Sequence, residues 1–411
     1  MTEVAVFGYG TVGSGVVEVI EKNAEPIASR GEGLHVKYIL DLRDFPGDPY
    51  ADRVTHDADV IYGDPEIKVI CETMGGATFA YDYTKRALSA GISVCTSNKE
   101  LVELHGAELY RLAKENNCSY LFEASVGGGI PLIRTITQAL TAERIERICG
   151  ILNGTTNYIL DRMEKAGLDF ATALKEAQEL GYAEKDPTAD IDAHDPCRKI
   201  AILTSLVSGK KTDYSDIPME GIRDISLNDL AYAWMLGGTV KLIAMSEFDK
   251  DGCRAIVSPR VIKRDNPLFA VNSVFNAVLI HSDMLDDSMY YGRGAGKLAT
   301  ASAVVGDAIE CARNAGRTIE CGWSEEKLVL ADASGMKQSY LLRLKKSALP
   351  KLEERIAIEE KLEPTEEFLR EHGLDPKDFA DEMAVVSGEM SEKEWKEKIA
   401  GVDGVIRYIR M

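Results

Sequence analysis

The stretch GYAEKDPTADIDAHDPCRK, residues 181–199, crowds acids and bases around two prolines. Such a run of charge is ordinarily solvated surface, so the alternative, a set of placed charges, needs support from elsewhere in the chain. Asp195 precedes Pro196 and a segment with apolar residues at 200, 203, 206 and 207, which reads as an N-cap aspartate with proline at the first helical position. Lys199 then stands one turn further on. The structural reading of that spacing is an i,i+4 ion pair; the chemical reading is a carboxylate beside a lysine that carries a proton. Lys99, in TSNK at 96–99, is a second lysine of interest, because it follows a strand-like run. The histidines are scattered, and only His194 falls in a motif.

A second group of residues suits a dinucleotide. Gly8, Gly10 and Gly13 follow the apolar run EVAVF and open a segment of helical periodicity. In that context the backbone at Gly8, Gly10, Thr11, Val12 and Gly13 can hold a pyrophosphate with N–H groups and the helix dipole. The next strand ends in ILDLRD, where Asp41 suits a ribose 2′-hydroxyl and Arg43 a 2′-phosphate, so NAD and NADP both stay open. TMGG at 73–76, with Gly75, and TSNK, with Thr96, Ser97 and Lys99, each follow a strand. They therefore fall at the carboxyl edge of a sheet, where ligands of such folds sit.

The elements that must position these groups alternate. Strands are predicted at 3–7, 36–41, near VIYG at 60–63, at 68–73 and in ISVCTS, with helices between them. That alternation implies an α/β, doubly wound parallel sheet of the Rossmann kind. From about residue 134 a helix at PLIRTITQALTAE, a strand at RICGILNG and further helices suggest a second α/β domain, with more sheet between 255 and 291. The segment after 325 is highly charged, yet its strand and helix patterns still alternate, giving a small terminal α+β module. The expected domains are 1–133, completed by a helix near 297–315, then 134–296 and 338–411.

Composition narrows the function classes. A chain of 411 residues with 45% hydrophobic content can bury two or three cores. A net charge of −19 disfavours nucleic acid and anionic membrane as partners. The cysteines lie far apart without a CxxC pair, which predicts reduced thiols, and no leader or membrane-length apolar run is read; a cytoplasmic protein is expected.

Several segments together resemble the homoserine dehydrogenases: GYGTVG, TSNKELV, EASVGGGIPLI, ILNGTTNYIL, GYAEKDPTADIDAHDPCRKIAIL and YYGRGAGKLATASAVVGD, in the family's order over about three quarters of the chain. The resemblance implies NAD(P)-dependent interconversion of L-homoserine and L-aspartate 4-semialdehyde, on the route to threonine and methionine. It assigns Glu184 and Asp195 to the amino acid substrate, with Asp190 and Asp186 holding the loop or nearby lysines. Lys199 would transfer the proton and Lys99 would face the nicotinamide. Gly181 and Gly296 would approach the cofactor, NADP with NAD also accepted. It also implies a sodium ion on oxygens of Glu123, Val126, Gly128 and Ile130, where the glycines would equally serve a tight turn between domains. A homodimer or homotetramer is expected through the second domain. The terminal module resembles an ACT domain, but its first turn, KKSALPKL, lacks the family's glycine, which argues against an effector pocket. Another small-substrate dehydrogenase and a non-catalytic dinucleotide sensor are the alternatives; a pair of lysines at the nicotinamide argues against the sensor.

Overall fold

The computed structural model describes residues 1–411. Its first sheet contains β1 (Thr2–Phe7), β2 (Leu34–Leu40), β3 (Val54–Thr55), β4 (Ile67–Glu72), β5 (Ser93–Thr96) and β6 (Tyr120–Leu121) in the order β3-β2-β1-β4-β5-β6. Every pairing is parallel. The expected doubly wound plan is therefore present, and the strand order reverses at β1 and β4, the position where such sheets open a crevice. Side-chain alternation explains why β1 sits centrally. Val4 and Val6 enter one core with Val16, Val17 and Ile20 of α1 (Thr11–Lys22), whereas Ala5 and Phe7 enter the core on the opposite face.

The other crossover helices are α2 (Ala24–Ser29), α3 (Ala58–Tyr62), α4 (Thr78–Ser89) and α5 (Lys99–Glu115). VIYG is not the third strand. Asp57 caps α3 by accepting the Asp59 N–H at 2.8 Å, and Ala58 and Ile61 bury themselves at helical spacing, leaving only Val54–Thr55 to pair with β2. PLIRTITQALTAE is likewise not a regular helix. Its Thr135 and Thr137 hydroxyls donate back to the carbonyls of Pro131 (2.5 Å) and Ile133 (2.8 Å), and the segment forms one wide five-residue turn at Thr135–Ala139.

The second sheet begins with β7 (Ile145–Ile151) and is covered by α6 (Gly154–Ala166), α9 (His194–Ser208) and α10 (Leu227–Met235), with α7 (Phe170–Glu179) and α8 (Thr188–Ile191) beyond them. The long hairpin β8 (Gly238–Asp249) and β9 (Gly252–Lys263) follows, then β10 (Phe275–Ser282) and β11 (Asp286–Arg293), all antiparallel. The chain then returns to the first sheet as α11 (Lys297–Arg313), whose Ala301, Val304 and Ala308 pack into the core shared with α1. The approach is close: a Cβ at Gly15 would lie 2.9 Å from the Lys297 carbonyl.

The terminal module forms a two-stranded ribbon of β12 (Lys337–Gln338) with β16 (Met390–Ser391), and a βαββαβ unit: β13 (Tyr340–Lys345), α12 (Leu349–Glu353), β14 (Ile358–Leu362), β15 (Glu382–Ser387), α14 (Glu392–Ile399) and β17 (Val405–Arg410), with α13 (Glu366–Glu371) inserted before β15. Its strands order as β17-β13-β15-β14, and β17 joins β9 through one residue pair, Arg410 with Arg260, so that nine strands run as one sheet. All eight cysteines are free thiols, as expected. No helix is long and apolar enough to cross a membrane.

Candidate functional site

The acids and lysines of the opening stretch converge. Helix α9 starts two residues earlier than expected, at His194, behind Ala193 in a left-handed conformation (φ 71°), and Asp195 makes no capping bond. Instead of capping, the buried Asp195 carboxylate turns inward between two lysines. Its Oδ2 lies 2.9 Å from Lys199 Nζ and its Oδ1 lies 2.5 Å from Lys99 Nζ. Lys199 also donates to the Leu152 carbonyl at 2.8 Å, at the end of β7. Lys99 comes from the first turn of α5, fixed by Asn98, whose side chain accepts the Leu101 N–H at 3.1 Å. The cluster thus joins the carboxyl edge of the first sheet to the helical layer of the second.

The charges respond differently to a shared environment. Burial works against the Asp195 carboxylate, but the two ammonium groups outweigh it and hold its pKa well below the usual range. Lys199 is the deeper lysine: burial dominates and lowers its pKa despite Asp195, and neighbouring Lys99 adds to the fall. For Lys99, burial also disfavours the charge, but the Asp195 carboxylate prevails and its pKa rises. Asp190 is pushed up, first by burial. The two lysines on this one carboxylate are therefore shifted in opposite directions.

Asn153, which the motif reading did not single out, links the acids. Its Nδ2 donates to Asp190 Oδ1 at 2.6 Å and to Asp195 Oδ2 at 2.8 Å, while its Oδ1 caps α6 by accepting the Thr156 N–H at 2.8 Å. An asparagine between a strand and a helix was the available signal. Asp186 accepts from the Thr188 hydroxyl and N–H, stabilising the loop. Glu184 is exposed and without an ion pair, so the structure leaves it outside the lysine cluster. Its loop is tied to α6 by Thr155, whose hydroxyl donates to the Tyr182 carbonyl at 2.8 Å, and open space surrounds the exposed Gly181.

The dinucleotide side is a cleft of about 530 Å³ lined by Gly8, Gly10, Asp41, Arg43, Thr73 and Gly75, among others. Gly8 has a φ of 86°, and a Cβ on Gly13 would lie 1.9 Å from the Gly8 carbonyl, so the turn and the close start of α1 both require glycine. Thr11 and Val12 form the first helical turn, where N–H groups lack helical acceptors. Asp41 and Arg43 follow β2 side by side. They pair with one another: Arg43 Nε to Asp41 Oδ1 at 2.9 Å and Nη2 to Oδ2 at 3.0 Å, while Asp41 Oδ2 accepts the Tyr9 N–H at 2.7 Å. Ser97 is half-buried beside Lys99, but Thr96 is fully buried, and its hydroxyl is spent on Glu72 (2.5 Å) and the Asn98 N–H (2.9 Å). Its hydroxyl is therefore already engaged within the protein. Gly296, with φ 117° and no neighbour within 4 Å of a Cβ, opens α11.

Known proteins resemble this chain in sequence and in fold. The homoserine dehydrogenase family model matches residues 131–309, and the model for the homoserine dehydrogenase NAD-binding domain matches residues 8–123. The homoserine dehydrogenase of Synechocystis is 42% identical over 315 residues, 75% of this chain and 72% of that protein. This chain belongs to the homoserine dehydrogenase family. The Bacillus subtilis homoserine dehydrogenase is 39% identical over 76% of this chain and 73% of its own length. Among solved structures, a homoserine dehydrogenase from Thiobacillus denitrificans superposes with a TM-score of 0.87 at 30% identity, covering 100% of this chain and 97% of that one. A hyperthermophilic archaeal homoserine dehydrogenase mutant in complex with NADPH gives 0.63 at 30% identity, covering 76% of this chain and 98% of that one. An NAD(P)-binding domain is accordingly part of this homoserine dehydrogenase.

The EASVGGGIP loop of this homoserine dehydrogenase has two features. The Glu123 carboxylate accepts backbone N–H groups from Leu132 (2.7 Å), Ile133 (2.9 Å) and Arg134 (2.7 Å), and burial raises its pKa against those bonds. Three hydrogen bonds leave part of the carboxylate's acceptor capacity unused. The carbonyls of the buried residues Val126, Gly128 and Ile130 accept no hydrogen bond from the chain, a donor type that suits a hard cation. Backbone also meets backbone here, since a Cβ on Gly128 would lie 2.6 Å from the Gly294 carbonyl. The interdomain turn is therefore real, and the cation donors are compatible with it.

Proposed function

We propose that this homoserine dehydrogenase interconverts L-homoserine and L-aspartate 4-semialdehyde with Lys199 as proton carrier, Lys99 as fixed positive charge, and Asp195, Asp190 and Glu184 as the groups that bind the amino acid. The observation that carries the division of roles is the shared carboxylate of Asp195, with a lysine on each oxygen. A dinucleotide bound in the cleft would supply the hydride chemistry, accepting or giving a hydride at its nicotinamide. In the reducing direction Lys199 Nζ gives its proton to the oxygen of the forming alcohol, and its lowered pKa makes that release easier. In the oxidising direction the neutral amine takes the hydroxyl proton, while Asp195 stays ionised and holds both lysines in place. Asp190 and the exposed Glu184 carboxylate offer negative charge to the substrate ammonium.

For the cofactor, NADP with NAD also accepted is the reading favoured by Arg43. Its pairing with Asp41 neutralises the carboxylate that would repel a 2′-phosphate, and its guanidinium remains largely open to solvent. Oxygens of Glu123, Val126, Gly128 and Ile130 would hold a sodium ion, whose charge would stiffen the turn against Gly294. The βαββαβ terminal unit is an ACT-like module on this reading, and the second sheet serves a homodimer or homotetramer. The deciding experiment follows reduced-nicotinamide absorbance with homoserine and NADP, then NAD. Turnover with homoserine, faster with NADP, is expected; absence of turnover with both dinucleotides rejects the reading.

A further inference from the structure

Glu72 ends β4 as a buried carboxyl, 1% exposed, with no cation beside it. Its Oε1 accepts the Met74 N–H at 2.7 Å, and its Oε2 accepts the Thr96 hydroxyl at 2.5 Å. These bonds reach two separate loops. Met74 lies in the 73–76 loop that lines the dinucleotide cleft through Gly75, and Thr96 ends β5 three residues before Lys99. The same two loops are crossed a second time by Asn98, whose Nδ2 donates to the Gly76 carbonyl at 2.7 Å, while its N–H donates to Thr96 Oγ1 at 2.9 Å. A chain of hydrogen bonds thus runs from Asn98 through Thr96 to Glu72 and back to Met74. A buried carboxyl with two acceptor bonds and no counter-ion is costly to keep, and a hydrophobic residue would fill the same place in the core.

We propose that Glu72 is a positioning residue, whose ionised carboxylate locks the 73–76 and 96–99 loops together so that the dinucleotide cleft and Lys99 keep one shared geometry. The state of the carboxyl matters because only the ionised form accepts freely from both donors; protonation places a hydrogen on an oxygen that already faces a donor. Burial pushes this carboxyl up to about 7, with the Thr96 and Met74 bonds opposing the shift, so the lock closes within the ordinary range of working pH. Its surroundings supply no competing charge. Neighbouring β1 presents Phe7 across the strand pair, β5 presents Thr96, α5 presents Asn98, and the titratable group that senses it is the buried, unpaired Tyr120 hydroxyl on β6.

The sign follows from the linkage between binding and ionisation. If dinucleotide binding needs the locked loops, the complex favours the ionised carboxyl, so affinity is full above the carboxyl's pKa and falls on acidification through it. NADH is the probe, since it lacks the 2′-phosphate, which would titrate in the same range. In the wild type its Kd should rise about 10-fold between pH 8.5 and pH 6, the scale of one lost charge-assisted hydrogen bond. Glu72→Gln keeps the shape but never ionises. It should show, across that range, a flat Kd near the acid limit of the wild type. Thr96→Val, which removes one donor, serves as a second variant if Glu72→Gln does not fold, and should likewise weaken binding and flatten the profile. Wild-type affinity in the variant, or a variant that keeps the wild-type pH profile, overturns the proposal.

Discussion

Two buried ionic clusters in this molecule are built differently. At the site, Asp195 is shared between two lysines, each bound to it by one oxygen. At the junction with the terminal module, each arginine reaches several acceptors: Arg343 donates to Ser226 (2.8 Å), Asp229 (2.8 Å) and Glu382 (2.9 Å), and Arg410 donates to Glu392 through Nε (3.0 Å) and Nη2 (2.8 Å) and to Glu220 (2.7 Å). A guanidinium does not lose its proton and offers a planar fork that fixes two acids at once. An ammonium is a movable point charge whose proton affinity follows its surroundings, and Lys199 shows it, with a pKa lowered by burial. On the proposed mechanism, lysine stands where a proton must move and arginine where a surface must stay closed.

If that contrast is correct, the largest effect comes from removing the proton. Lys199→Ala should lower kcat by ~10²–10⁴ while the dinucleotide Kd, read by fluorescence titration, stays near the wild-type value. Lys199→Arg should fail to rescue turnover, because it retains the charge without a releasable proton. Near-normal kcat in either variant would erase the distinction between the clusters. The junction should respond in stability instead. Arg343→Met leaves Asp229 and Glu382 buried without their partner, and breaking such a pair costs roughly 3–5 kcal/mol. Denaturant unfolding should show that loss with substrate KM unchanged; a selective KM effect would place Arg343 in the site's machinery.

How much of this was legible in the sequence differs between the same two regions. The glycine turn, the α/β alternation and the Asp195–Lys199 pair are local, and local chemistry can be read from spacing. The N-cap role expected for Asp195 failed because the carboxylate has stronger partners in three dimensions: Lys99, far away in sequence, and Asn153 at the head of α6. The strand β8 went unread because it is buried along nearly its whole length and so lacks the alternation of a half-exposed strand. Nothing local announces that β17 will join β9 through a single pair, or that Asp229, already capping α10, will also receive Arg343. Likewise, Asp41 and Arg43 read as competing signals, since two nearby charges do not disclose whether they pair.

Smaller effects sharpen the comparison at the edge of the site. Glu184→Gln should raise the homoserine KM about 10-fold, with little change in dinucleotide Kd, because the carboxylate proposed to meet the substrate ammonium is lost while its shape remains. A fall in dinucleotide affinity would assign Glu184 to the other half of the site. Arg43→Ala should weaken NADP by a few-fold and leave NAD unaffected. The effect is modest because the guanidinium is exposed and already holds Asp41. Equal losses for both dinucleotides would mean that Arg43 does not read the 2′-phosphate.

The smallest expected effect is none: threonine should not inhibit the intact enzyme through its terminal module. An effector amino acid needs backbone N–H groups for its carboxylate and must bind one conformation better than another. In the turn KKSALPKL, Lys346–Ala348 form one tight helical turn that leads directly into α12, which has proline in its first turn and is five residues long. The Lys345 N–H is already given to the Gly404 carbonyl at 2.8 Å, and the Lys346 N–H to Asp381 at 3.0 Å, so the two donors at the head of the turn are engaged. The arginine forks hold the module against the second sheet, which suits a constant role in assembly better than a moving one. Initial rates with saturating homoserine and NADP should be unchanged as threonine is added. Dose-dependent inhibition would show that the engaged turn still admits an amino acid, and that a junction fastened by arginine can transmit a change of state to the lysines of the site.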